Sequence, residues 1–227
     1  MGAAALVKQL ADGVQQVSTF PPNAINCYLV QDVLVDAATR LHTRQILGQL
    51  ERRPPRLHVL THAHPDHQGA SHAVCERFAI PLWCGERDVQ AVQSVDGTIG
   101  AMGSGPIRAI QKRIAGPPHP VERALVEGDE VAGFTVLEVP GHSVGHVAYF
   151  RESDRTLILG DVVNNMNVMT GVPGLHEPPK LYTVDPETNR ASARKLADLR
   201  PSLALFGHGA PLRDPGRFAE FVGRLPQ

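Results

Sequence analysis

The chain has 227 residues, 42% hydrophobic and 20% charged, with a formal net charge of -1 at pH 7. That length suits one sizeable core, so a single domain over residues 1–227 is expected. The even charge balance gives no electrostatic reason for a nucleic acid or an anionic membrane as partner, and no apolar run approaches the roughly 20 residues of a membrane span.

Lys8 stands where the apolar stretch of a signal peptide should continue, so the chain is expected in the cytoplasm. From Val14 to Asp36 three short runs rich in branched or aromatic residues (14–20, 25–30 and 33–36) predict an antiparallel meander of strands. Apolar residues at 46, 47 and 50 predict a helix over 43–52, ended by Pro54-Pro55. An apolar strand at 57–60, a helix over 69–78, a strand at 81–84 and a helix over 86–93 follow, the rhythm of a layered α/β fold. Glycines and prolines between 96 and 119 predict an excursion from the core, with a short helix around 107–114. Strands at 134–139, 147–151 and 156–159, a helix over 186–199, a strand at 203–206 and a closing helix over 215–225 complete the pattern. Two α/β halves packed sheet against sheet would make a four-layer sandwich. Cys27, Cys75 and Cys84 contain no C-x-x-C pair, so they are read as small buried hydrophobes.

The stretch Thr61-His62-Ala63-His64-Pro65-Asp66-His67 sets three imidazoles and a carboxylate in six positions after an apolar strand. Any one of these side chains alone reads as a solvated surface residue. Together they offer the nitrogen and oxygen donors that zinc, iron and manganese accept. Residues 62 and 64 alternate as a strand's end would place them, and 66 and 67 fall where the chain must turn, so the four can converge on one spot or on two neighbouring ones. Three more polar residues follow apolar strands and a glycine: His142 after Val139-Pro140-Gly141, Asp161 after Leu159-Gly160, and His208 after Phe206-Gly207.

On these motifs the chain resembles the metallo-β-lactamase superfamily of metal-dependent hydrolases. His62-x-His64-x-Asp66-His67 is similar to its signature, Gly141-His142 to its second histidine motif, Gly160-Asp161 to its bridging aspartate and Gly207-His208-Gly209 to its last ligand. Asp36 fits its structural aspartate. The resemblance implies an αββα sandwich, of mixed α/β class, with a dinuclear site at the edge between the sheets. His62, His64 and His142 would hold one divalent ion and Asp66, His67 and His208 the other, with Asp161 bridging. Zinc is the expected metal, with iron or manganese as alternatives, and His146 is expected behind the ligands rather than among them.

The expected chemistry is attack of a metal-bridging hydroxide on the acyl carbon of a small-molecule thioester, lactone or other ester, with Asp66 managing the proton. A Ser143/His142 nucleophile pair is disfavoured, because a metal-bound histidine is a poor base. A core like that of the hydroxyacylglutathione hydrolases is implied, without their helical glutathione-binding extension. Alternatives are a mononuclear-iron persulfide dioxygenase and, with less support, a phosphodiesterase. Substrate contacts are expected from 96–119 and 162–185, where Lys180 or Tyr182 would bind a carboxylate or an oxyanion. The apolar residues of the second loop, among them Val162, Val163 and Met166, predict a pocket or a subunit contact, including that of a homodimer.

Overall fold

In the computed structural model, residues 8–94 and 106–226 are described. Strands β1 (Lys8–Ala11), β2 (Val14–Val17), β3 (Cys27–Val30) and β4 (Val33–Val35) form the expected antiparallel meander. The sheet then continues in parallel through β5 (Leu57–Val59), β6 (Leu82–Gly85) and β7 (Arg123–Leu125), giving seven strands in sequence order. Parallel neighbours need crossovers, and helices supply them. α1 (Thr43–Leu50) leads to β5, α2 (Pro65–Gln68) and α3 (Ser71–Phe78) to β6, and α4 (Val89–Val92) and α5 (Pro106–Ile114) to β7. α1 forms because Ile46 and Leu50, one turn apart, both bury against this sheet.

The second sheet contains β8 (Glu130–Val131), β9 (Phe134–Glu138), β10 (Val147–Arg151), β11 (Thr156–Gly160) and β14 (Leu203–Phe206), in the order β14-β11-β10-β9-β8. A two-stranded ribbon, β12 (Asn164–Met166) and β13 (Pro173–His176), follows β11. α6 (Pro186–Asp198) makes the crossover to β14, which is parallel to β11, and α7 (Pro215–Gly223) closes the described chain. Both helices start on the same local chemistry. Asp185 and Asp214 accept backbone N–H groups of the first turn, and a proline follows each.

Side chains alternate across each strand, and this alternation builds the layers. Tyr28, Val30 and Val35 of the first sheet meet Phe134, Val147, Tyr149 and Leu205 of the second in a core between the sheets. Leu29 and Leu34 point the other way, to Ile46, Leu50 and Val74 under α1 and α3. Ala148, Phe150, Ala204 and Phe206 face Ala193, Leu196 and Phe218 of α6 and α7. Helix, sheet, sheet and helix thus stack as the αββα sandwich.

Several expected boundaries move. The strands expected over 14–20 and 25–30 stop short on either side of the Phe20–Asn26 turn. The helix expected over 69–78 begins at Ser71, and the one-turn helix α2 precedes it where only a turn was read. The helix expected over 86–93 is a 3-10 turn, Glu86–Asp88, running into α4. Residues 95–105 of the 96–119 excursion lie outside the described residues, whereas its expected helix is present as α5. All three cysteines are free and buried, and burial pushes their thiols upward, Cys75 to about 12. Among the described residues no helix is long and apolar enough to cross a membrane.

Candidate metal centre

Four connections at one edge of the sandwich bring the sequence-selected residues together. β5 ends at Val59, so His62 and His64 stand in the loop beyond the strand and not on its last residues. Pro65 explains the geometry that follows. The residue before a proline avoids the helical region, and His64 is extended at φ -72 and ψ 151, while Pro65 itself opens α2 and swings Asp66 and His67 back toward the two histidines. His142 follows Gly141, whose φ of +132 and contact with the Asn189 backbone leave no room for a side chain. Asp161 comes directly after β11, and His208 two residues after β14.

Three groups of ligand atoms, each drawn together within 4.8 Å, result: His62, His64 and His142; Asp66, His67 and His208; and His62, His67 and Asp161. The first two match the expected division, and the third places Asp161 where the two meet. His208 Nε2 is 3.1 Å from one Asp161 oxygen and 3.3 Å from Asp66, and His67 Nε2 and His142 Nε2 lie 3.5 and 3.6 Å from Asp161.

Hydrogen bonds behind the ring of ligands set its tautomers. A carbonyl or carboxylate can only accept, so His67 Nδ1 donates to Asp36 Oδ2 at 2.9 Å and His208 Nδ1 donates to the Ala24 carbonyl. The Thr61 hydroxyl is spent on Asp36 and the Thr183 hydroxyl on Pro179, which leaves both threonine oxygens to accept from His62 Nδ1 and His142 Nδ1. Each of these four imidazoles therefore turns its Nε2 inward, and on the neutral rings of His62 and His142 that nitrogen carries a lone pair. Nε2 of His62, His64, His67 and His142 and Oδ1 of Asp161 are buried without a hydrogen-bond partner. Buried polar atoms rarely go unpaired, and lone pairs converging with a carboxylate fit a divalent cation.

Charge supports the fit. Burial and neighbouring histidines hold His62 and His142 well below the ordinary histidine range, in the neutral form that ligates metals. Burial opposes the charged forms of His67 and His208 too, but Asp161 and its carboxylate neighbours outweigh it, raising His67 and bringing His208 up to about 10. The carboxylates thus draw positive charge into the site, whether as protons on these two rings or as metal cations.

His146 is buried behind the ring. Its Nε2 accepts from the Asp161 backbone N–H at 3.4 Å, and burial pushes it down to about 3. Ser143 does not face His142; its hydroxyl donates to Asp88 at 2.7 Å. Asp88 is the residue that sequence reading missed. Buried at the end of a 3-10 turn, it accepts from Ala63 N, Gly145 N and Ser143 Oγ, tying the His62–His64 loop to the His142 loop. Its partners are 25 to 57 residues away, so no local motif marks it.

A cavity of about 360 Å³ opens on the ligands. Its remaining wall includes Ile25, Thr39, Gln111 and Ile114 of α5, Met166, Val168, Met169, Pro179 and Tyr182. Tyr182 therefore stands where expected, whereas Lys180 is exposed and does not line it. Met166 belongs to the pocket, but Val162 and Val163 belong to the core under α6.

The family model of the metallo-beta-lactamase superfamily matches residues 20–208. The probable metallo-hydrolase YflN of Bacillus subtilis (strain 168) is 29% identical over 202 residues, 79% of this chain and 76% of that protein. A hydroxyacylglutathione hydrolase of Rhizobium meliloti (strain 1021) is 32% identical, but over only 53% of this chain and 39% of its own length. Among solved structures, TTHA1623 in a di-iron-bound form superposes with a TM-score of 0.68 at 30% identity, covering 95% of this chain and 97% of that one. With this fold, these convergent donors and a match over most of its length, the chain belongs to the metallo-beta-lactamase superfamily and is one of its metallo-hydrolases.

Proposed function

We propose that His62, His64 and His142 hold one divalent ion, that Asp66, His67 and His208 hold a second, that Asp161 bridges them, and that the site hydrolyses an acyl bond of a small apolar molecule. The inward set of Nε2 atoms, with the rings of His62, His67, His142 and His208 fixed from behind by a protein oxygen, is the observation that carries this reading. Metal ions held by these residues would supply Lewis acidity toward a carbonyl oxygen and a nucleophilic hydroxide at neutral pH. The protein's own groups do the rest. The loops would hold the scissile carbonyl against the ligand edge of the cavity, and Asp66, half-buried there with Oδ2 facing His208, would pass the proton of the attacking hydroxide to the departing group. Tyr182 offers a hydroxyl to the carbonyl oxygen as it gains charge.

The wall suggests the substrate class. Apart from the proposed ligands it is made of Ile25, Ile114, Met166, Val168, Met169 and a few neutral polar groups, and no lysine or arginine lines it among the described residues. A glutathione thioester would bring two carboxylates with no lysine or arginine among the described lining residues to receive them. An uncharged acyl thioester, lactone or ester fits better. Zinc suits the mixed nitrogen and oxygen donors, and iron is the second candidate, supported by the di-iron form of the relative TTHA1623. The test is a turnover screen with zinc-loaded and iron-loaded protein on apolar acyl thioesters, lactones and glutathione thioesters. Higher kcat/KM on the apolar acyl substrates is expected; turnover confined to glutathione thioesters, or none on any acyl bond, would overturn the assignment.

A further inference from the structure

One more group of metal-ligating side chains converges outside this centre. His72 and Glu76 lie one turn apart on the same face of α3, and His119 reaches them from the segment between α5 and β7. One ligand atom from each lies within 4.8 Å of the others. The His72 and His119 rings meet edge to face, with their Nδ1 atoms 3.2 Å apart. Two imidazole nitrogens, each about 2.0–2.1 Å from a tetrahedral zinc, stand about 3.3 Å apart, so the observed separation is that of two ligands on one ion. A shared proton would also bring two nitrogens this close, but it has no use for the carboxylate that completes the triangle. All three side chains are at least partly open to solvent, which leaves the fourth position to water.

We propose that His72, Glu76 and His119 form a separate site for a divalent transition metal ion of the zinc type, with two nitrogens, one carboxylate oxygen and one water. Partial burial and the neighbouring His72 push His119 below the ordinary histidine range, so it is neutral at pH 7 and free to ligate. The position gives the ion a structural task. The segment leading to His119 passes so close to the end of α2 that a Cβ on Gly116 would lie 2.0 Å from the Gly69 carbonyl oxygen. Just before it, α5 places Gln111 and Ile114 in the wall of the active-site cavity. An ion held by both sides fastens that wall to α3, next to the helix that carries Asp66 and His67. The inference does not depend on which bond the central site cleaves.

The test is calorimetric titration of zinc chloride into the protein already carrying its two central equivalents, in wild type, Glu76→Gln and His119→Ala. Wild type should take up a third equivalent and unfold at a higher temperature when it does. Even loss of a group that only supports a ligand costs about 10–100-fold in metal affinity, so Glu76→Gln should bind the third ion at least tenfold more weakly and His119→Ala should not bind it, both keeping the first two. No third equivalent in wild type, or the same third event in all three proteins, would overturn the proposal. Glu76 is exposed, so its variant retains the fold even if His119→Ala does not, and the comparison still decides.

Discussion

Asp36 touches neither the cavity nor a substrate, yet it orients histidines of both proposed metal positions. One of its oxygens accepts from His67 and from the Thr61 hydroxyl, and Thr61 in turn accepts from His62. An amide at this position must turn an NH2 toward one of those donors or toward the Thr61 N–H. Asp36→Asn is therefore expected to weaken metal binding by about 10–100-fold, read by competition with a chromophoric chelator. Undiminished affinity would show that the rings are oriented by packing alone. Asp161→Ala should go further and lower metal content together with activity, whereas His146→Gln should cost less of both because that ring faces the Asp161 backbone. His58 makes a different prediction. It donates from Nδ1 to the Leu34 carbonyl, accepts from Ser71 on Nε2, and is lowered by burial to about 4. Its folded value lies below its unfolded one, so between roughly pH 6.5 and 4 the unfolded chain binds a proton that the native chain does not. Stability is then lost as pH falls through that window, by about 3 kcal/mol at its lower end. Urea unfolding of chelator-stripped protein should show His58→Gln less stable than wild type at pH 7 but with a shallower acid loss; parallel pH curves would contradict this.

At the scale of elements, the glycines that precede the ligands are steric requirements as much as flexible joints. A Cβ on Gly207 would lie 2.0 Å from Asp161 Oδ1 and 2.6 Å from a ring carbon of His67. Gly207→Ala should thus empty the Asp66–His67–His208 position without removing a ligand, which elemental analysis would show as about one metal equivalent less than wild type. Gly48 is the control. It sits inside α1 with nothing within 4 Å of an added Cβ, so Gly48→Ala should stabilise the fold by roughly 0.5–1 kcal/mol and leave metal content unchanged. The same elements show which parts of the structure could be read from the chain. The ligands were legible because they are dense, chemically distinctive and placed after apolar strands whose ends they mark. β1 and β7 were not, because Lys8, Gln9, Arg123 and Ala124 are exposed on sheet-edge strands and carry no apolar alternation. α2 is too short for a helical period to register, and Asp88 and Thr183 act on partners far along the chain. Val162 and Val163 were misassigned to a pocket or contact because an apolar pair just past a strand looks the same whether the chain continues into the core or out of it.

For the whole molecule, the sandwich explains why one edge carries the chemistry. The two sheets share a core of alternating side chains, and the loops leaving β5, β9, β11 and β14 emerge where that core ends. Residues up to 142 positions apart in sequence, Asp66 and His208, therefore meet in one ligand group. The cavity above them takes its outer wall from the β12–β13 ribbon, the loop with Tyr182 and α5, segments that can vary without disturbing either sheet. On this account, chelator-treated protein should keep its fold at low temperature but unfold at a lower temperature than metal-loaded protein, since ligands that bind only the native state stabilise it. Circular dichroism melts with and without zinc would measure the difference. Anomalous diffraction at the zinc and iron edges from crystals of metal-loaded protein would locate the pair of metal positions bridged by Asp161. Two peaks at the ligand edge, one among His62, His64 and His142 and one among Asp66, His67 and His208, with Asp161 contacting both, are predicted. A single peak there, or two peaks with Asp161 turned away from either, would contradict the account.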